Sequence, residues 1–257
     1  MNAVLEARGV GKRYRQRWAL NDCTLSIPAG RVVGLVGPNG AGKTTLLSLA
    51  AGMLRPTTGS IEVLGARPAS SRAQLARVGF VAQDTPVYAG LSVADHLKLG
   101  AEMNPGWDAA LASGRIAHLA LDRRQRAGKL SGGQRAQLAL TLAMAKRPDL
   151  LLLDEPVASL DPMARREFLE SLREYIAGRP VSVVLSSHLV SDLERVCDYL
   201  IVLVASRVQV AGEVSRLLAT HRQLTGAGPD LSLEDLVLAY MRQATTPGRQ
   251  PVQEEYR

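Results

Sequence analysis

Apolar and polar positions alternate in two different ways along this chain. Short apolar stretches broken by turn residues occupy the first part, at Val4 to Ala7, Leu25 to Ile27, Val32 to Val36 and Ile61 to Val63, and these predict strands. The stretch Val32-Val33-Gly34-Leu35-Val36 is apolar throughout, as expected of a strand buried on both faces. After Gln83 the spacing becomes helical. Ser92 with Asp95 resembles a capping box and predicts a helix to about Met103. Asp108 predicts the cap of a second helix to about Ala120, and a third runs from Ser131 to near Lys146, before Pro148. Buried-strand patterns return at Leu150 to Leu153 and Val181 to Ser186, with a helix from Met163 to Ile176 between them and Pro162 in its first turn. Tyr199 to Val204 and Arg207 to Val210 predict a hairpin, and Ser232 with Asp235 predicts the start of a last helix to Gln243.

The pattern is that of an α/β protein interrupted by a helical insert at about 84–147. Residues 1–244 are expected to form one domain, and the polar stretch 245–257 a disordered tail. Composition changes this picture little. No stretch approaches the run of about 20 apolar residues that spans a bilayer. The N-terminus lacks a basic region followed by an apolar block, so no secretory signal is expected. Cys23 and Cys197 are too few for a disulfide framework, and no Cys-x-x-Cys or His-rich run suggests a metal. Lys and Arg total 31 against 24 Asp and Glu, for a net charge of +7. These charges fall in small groups such as Arg13, Arg15 and Arg17. That favours an ordinary solvated surface, or a place near anionic headgroups, over a nucleic-acid face.

Three motifs carry chemistry. Gly37-Pro38-Asn39-Gly40-Ala41-Gly42-Lys43-Thr44 fits G-x-x-x-x-G-K-[ST] between a predicted strand and a helical stretch from Thr45 to Ala51. Glycines there let backbone N–H groups turn inward toward phosphate oxygens, and the helix N-terminus adds its dipole. Lys43 supplies charge for the β and γ phosphates, and the Thr44 hydroxyl suits Mg²⁺. Leu150 to Leu153 ends in Asp154-Glu155, suited to holding Mg²⁺ through water and to polarising an attacking water, respectively. Leu130-Ser131-Gly132-Gly133-Gln134 has a local explanation as a helix cap. Its two glycines, however, cost helix stability while leaving bare N–H groups outward, as a second anion site would.

Together these motifs resemble the nucleotide-binding subunit of an ATP-binding cassette (ABC) transporter, over about residues 4–212. The resemblance implies a P-loop NTPase core with an N-terminal antiparallel β subdomain and the inserted α-helical subdomain. It implies ATP bound by Gly37 to Thr45, with Tyr14 stacking on adenine. Mg²⁺ would be held by Thr44, Gln83 and Asp154, the last through water. Glu155, Gln83 and His188 would be catalytic. Ser131, Gly132, Gly133 and Gln134 resemble the family signature, which acts in trans on the ATP of a second subunit, and Asp161 resembles the D-loop aspartate. Val157 stands where the family often has Thr or Ser.

The implied partners are an integral membrane permease on a separate chain and a second ATPase subunit, identical or paralogous, with no nucleic acid. The implied location is the cytoplasmic face of the cell membrane. Segment 84–93 would belong to the groove that receives the permease. The overall pattern resembles exporter-type subunits of drug, peptide or lipid-like efflux, and Asn104-Pro105-Gly106-Trp107-Asp108 supports that subtype by resemblance alone. The alternative is a soluble cassette ATPase acting on ribosomes or nucleic acid. One cassette per chain and the absence of a long coiled coil count against it.

Overall fold

The structure is a computed structural model that describes residues 3–84, 87–225 and 231–245. Among these residues the chain begins with β1 (Ala3–Tyr14), β2 (Arg17–Pro28), β3 (Val32–Val36), α1 (Lys43–Ala50), β4 (Thr58–Val63), α2 (Arg72–Ala76) and β5 (Val78–Val81). The middle holds α3 (Val93–Met103), α4 (Ala109–His118) and α5 (Gly132–Ala145). The rest comprises β6 (Leu150–Asp154), α6 (Pro162–Ile176), β7 (Ser182–Ser186), α7 (Val190–Leu193), β8 (Tyr199–Val204), β9 (Arg207–Glu213), α8 (Val214–Thr225) and α9 (Leu233–Thr245). The chain divides into two compact units, Met1–Pro68 with Ser182–Arg257, and Ala69–Val181.

The first unit contains an antiparallel sheet in the order β2-β1-β4. It also contains β3, which lies parallel to both β7 and β8, while β8 turns back antiparallel to β9. Every residue of β3, β7 and β8 is buried, which explains their unbroken apolar patterns. The β1–β2 ribbon is longer than the apolar patches suggest. Its register slips at four places between Ala3 and Arg13, and those irregularities break the two-residue alternation that marks a strand in sequence.

The second unit pairs β5 and β6 in parallel and builds a helical core from Val93, Leu97, Ile116, Leu130 and Leu138, among others. Each such aliphatic side chain contributes about 1.5–3 kcal/mol by leaving water. Ser92 and Asp95 form the expected capping box. Asp108 caps α4, its Oδ1 accepting from the Leu111 N–H at 2.8 Å, while Oδ2 accepts from Arg147 Nε at 2.7 Å. Trp107 packs so closely on Gly100 that a Cβ there would sit 2.4 Å from the ring.

Several expectations change. α4 ends at His118 rather than about Ala120, because Leu119 caps it and Ala120 turns to φ 50. α2, α7 and α8 fall where no helix is expected. α7 is one turn with Leu189 at its N-cap, and Ser187 Oγ accepts from the Leu189 N–H. The helix after the phosphate loop begins at Lys43, two residues before Thr45, because left-handed Gly42 serves as its N-cap. The expected tail at 245–257 lies, beyond Thr245, outside the described residues.

Candidate active site

In the first unit the chain leaves β3 at Val36 and enters the phosphate loop. Gly37 is buried, and a Cβ on it would lie 2.2 Å from the Leu203 carbonyl oxygen. Gly42 has φ 110, and its Cβ would lie 2.4 Å from the Ala19 oxygen and 2.6 Å from Leu20 Cδ2. These two positions therefore exclude any side chain, by contact at both and by conformation as well at Gly42. Pro38, Asn39, Gly40 and Thr44 are exposed, Ala41 is buried and Thr45 is half-buried. Lys43 is 5% exposed, and its Nζ donates to the Gly37 oxygen at 2.8 Å, so the ammonium is folded back over the loop. α1 carries no acidic residue in its first turn and no side-chain cap, so its N-terminal N–H groups stay available to an anion.

His188 reaches the same edge through β7. Leu35 pairs with Ser186, so the strand end before His188 lies beside the strand end before Gly37. His188 is exposed. Tyr14, 47% exposed, closes the β1–β2 hairpin, with Lys12 Nζ 5.4 Å from its ring centroid. Trp18 differs: it is half-buried, and its ring lies 2.8 Å from where a Gly11 Cβ would stand. Tyr14 is thus the more open aromatic of the two. The hairpin also carries Arg17, whose Nη2 lies 3.7 Å from a Cβ built on Gly40. The motif reading missed Arg17, whose place beside the loop no motif marks.

In the second unit, β5 and β6 deliver Gln83, Asp154 and Glu155 to one edge, with Val81 paired to Leu153. Gln83 is exposed, Asp154 is 1% exposed and Glu155 is 9% exposed. Glu155 has φ 43, a left-handed conformation that costs a non-glycine residue about 1 kcal/mol or more and recurs at functional positions. Val157 is buried at 2% and packs rather than facing solvent.

The same unit holds the segment Leu130 to Gln134. Leu130 is core; Ser131 Oγ accepts from the Gln134 N–H at 3.2 Å, and Gln134 Oε1 accepts from the Ser131 N–H at 2.9 Å. This capping box leaves the Gly132 and Gly133 N–H groups at the open end of α5. Asp161 caps α6, its Oδ1 accepting from the Met163 and Ala164 N–H groups at 3.0 Å each. The starts of α5 and α6 touch: a Cβ on Gly133 would lie 2.8 Å from Ala164 Cβ, whereas one on Gly132 would meet nothing nearer than Leu160 Cδ2 at 3.9 Å.

Loop and oxygen donors fit the implied ligands. In the first unit a loop of crowded glycines with a buried lysine suits a polyphosphate, and Thr44 carries a hard oxygen of the kind Mg²⁺ takes; in the second unit Gln83 and Asp154 carry such oxygens. Among the described residues no group of three or more His, Cys, Asp or Glu is placed to hold a metal ion. No helix among them is long and apolar enough to cross a membrane.

A family model described as ABC transporter matches residues 20–158. The Nod factor export ATP-binding protein I of Burkholderia orbicola (strain AU 1054) is 34% identical, over 85% of this chain and 74% of its own length. A phosphonates import ATP-binding protein of Pseudomonas syringae pv. syringae (strain B728a) is also 34% identical, over 91% of this chain and 93% of its own length. Among solved structures, an ATP-binding subunit of an ABC transporter superposes with a TM-score of 0.79 at 27% identity, covering 92% of this chain and 99% of that one. A dimeric bacterial cassette in a post-hydrolysis state, bound to ADP and Pi, gives a TM-score of 0.73 at 21% identity, covering 82% of this chain and 98% of that one, a likeness of fold.

Proposed function

Since the chain belongs to the ABC transporter family of ATP-binding subunits, with the P-loop NTPase fold, we propose that it energises export through a separate membrane permease. It binds and hydrolyses ATP, as its family does. Two copies, or one copy and a paralogue, close on ATP held between the phosphate loop of one and Ser131 to Gln134 of the other. One observation carries this reading. Among the described residues two helix starts are fronted by glycine and free of acidic residues, α1 behind Gly42 and α5 at Gly132-Gly133. Each can take phosphate oxygens, and a head-to-tail pair of subunits gives both starts a partner.

In this reading Lys43 and the loop N–H groups bind phosphates, Tyr14 stacks on adenine, and Glu155 orients and polarises the attacking water. Gln83 and His188 complete the surroundings of the γ-phosphoryl group, and Asp161 stiffens the start of α6. Thr44, Gln83 and Asp154, the last through water, would hold Mg²⁺, which would supply charge neutralisation on the phosphates. Positioning and preorganised charge do most of the catalytic work. Loss of the γ-phosphate removes the shared ligand and lets the subunits part, which drives the permease. We place the cassette at 1–244 with its helical subdomain at about 84–147, on the cytoplasmic face of the membrane and without nucleic acid.

Similarity to the Nod factor export subunits supports export, and the cargo we propose is a drug, a peptide or a lipid-like molecule. The phosphonates import relative, similar over nearly all of both chains, supports import as the second reading. The test is transport by the subunit reconstituted with the permease it co-purifies with. Given ATP outside sealed vesicles on the subunit's side, an exporter fills the lumen and an importer empties it. Recovery with ribosomes or nucleic acid in place of a permease overturns the transport reading.

A further inference from the structure

Strand β2 runs beside the phosphate loop in step with it. Arg17 and Ala19 meet Gly40 and Gly42 in the same order, Arg17 through its side chain and Ala19 through its carbonyl oxygen, where the ribbon's register slips between Trp18 and Leu20. The Ala19 oxygen closes on Gly42, and the Arg17 guanidinium reaches Gly40, its Nη2 3.7 Å from a Cβ built there. The buried contact of Ala19 and Leu20 with Gly42 anchors the strand, so Arg17 is held over the loop by its register rather than by chance. Two neighbouring cations, Lys12 and Arg13, are engaged elsewhere. Lys12 donates to the Arg55 oxygen at 2.9 Å and covers Tyr14, and Arg13 covers Trp18 with its guanidinium 5.5 Å from the ring centroid. Among the described residues Arg17 has no carboxylate or carbonyl partner, and its neighbour is a loop built for phosphate oxygens.

We propose that Arg17 is a nucleotide-binding residue, whose guanidinium pairs with phosphate oxygens of the nucleotide held by Gly37 to Thr44. This rests on the proposed ATP site. A guanidinium presents a planar fork that matches two phosphate oxygens. Arg17 is exposed, so salt screens the contact and its contribution is moderate. The pairing exists equally in the bound ground state and in the transition state, so it sets affinity rather than rate.

The test measures binding of a fluorescent ATP analogue and of ADP to the full chain, with steady-state ATPase kinetics, for Arg17→Gln, Arg17→Lys, Arg15→Ala and Lys43→Ala. Expected for Arg17→Gln is a loss of about tenfold in affinity for both nucleotides, a matching rise in KM and an unchanged kcat. Its affinity should also depend less on salt. Arg17→Lys should recover most of the loss, and Arg15→Ala, which removes one charge from the same hairpin, should bind normally. If Arg17→Gln keeps full affinity while Lys43→Ala loses it, Arg17 is not a ligand and the ATP site stands. If Lys43→Ala also keeps full affinity, the ATP site itself is wrong. A loss in Arg17→Lys equal to that in Arg17→Gln, with a matching drop in Tm, assigns the effect to hairpin structure and overturns the proposal.

Discussion

Leu35 of β3 is the register partner of Ser186 of β7, so the chain leaves both parallel strands side by side, with Gly37 two residues beyond one and His188 two beyond the other. The second unit repeats the device: Val81 pairs with Leu153, with Gln83 two residues beyond one and Glu155 two beyond the other. Carboxyl ends of parallel strands are where α/β proteins gather ligand-binding groups. Here equal step counts align the members of each pair.

Glu155 is the carboxylate assigned to the attacking water. Glu155→Gln should bind ATP normally, lose at least about 100-fold in turnover, and form a dimer only when ATP is present. Steady-state ATPase assays and sedimentation with and without ATP check this; normal turnover would end the assignment.

Glu155 also sits at φ 43. Glu155→Gly should be more stable than Glu155→Ala by about 1 kcal/mol, since glycine occupies that region freely and alanine does not. Urea unfolding of the two inactive variants measures the difference directly, and equal stabilities would show that the backbone relaxes.

Gly132 and Gly133 should separate function from packing. Gly132→Ala has room, and alanine favours a helix over glycine by up to about 1 kcal/mol, so its Tm should hold or rise while ATPase turnover falls. Gly133→Ala forces a methyl to 2.8 Å from Ala164 Cβ and should cost about 1–3 kcal/mol as well. Full activity in Gly132→Ala would argue that this helix start binds no phosphate.

Acid should loosen the helical caps. The Leu111 N–H first, then Arg147, hold the Asp108 carboxyl below the usual carboxylate range, and Ser92 and Ser232 do the same for Asp95 and Asp235. Each charged form is favoured more in the folded chain than in the unfolded one. The stabilisation is therefore complete above the unfolded value near about 3.9 and disappears as pH falls through the lower folded value. Asp108→Asn should lower Tm at pH 7 and flatten its fall below about pH 4; a profile as steep as the unmodified chain's would contradict this.

His96 Nε2 accepts from the Tyr88 N–H at 3.0 Å, while its other ring nitrogen lies 2.7 Å from the Ser92 carbonyl oxygen, which makes that nitrogen the protonated one. His96→Ala should strip the Tyr88 amide of its acceptor and cost about 1–3 kcal/mol. Amide exchange at Tyr88 should speed up more than across α3; unchanged protection would show that another group takes over.

Strands buried on both faces were legible outright: β3 and β8 match their apolar runs residue for residue, because burial of every position leaves no ambiguity of face. Caps at Ser92, Asp108 and Ser131 were legible because a local hydrogen bond dictates the residue types. α8 was not, since it starts at Val214 directly from the end of β9, with no turn or capping residue between them. Arg17 escaped for another reason. Its position beside Gly40 depends on how a strand lies against a loop more than twenty residues away, which no local pattern encodes.

Gly37 and Gly42 are crowded by the protein's own carbonyl oxygens, those of Leu203 and Ala19. The loop's curvature is therefore enforced by its neighbours before any nucleotide arrives. An arriving phosphate meets a mould already set, and little of its binding energy is consumed in ordering the loop. More of that energy is then left for drawing a second subunit onto the same nucleotide.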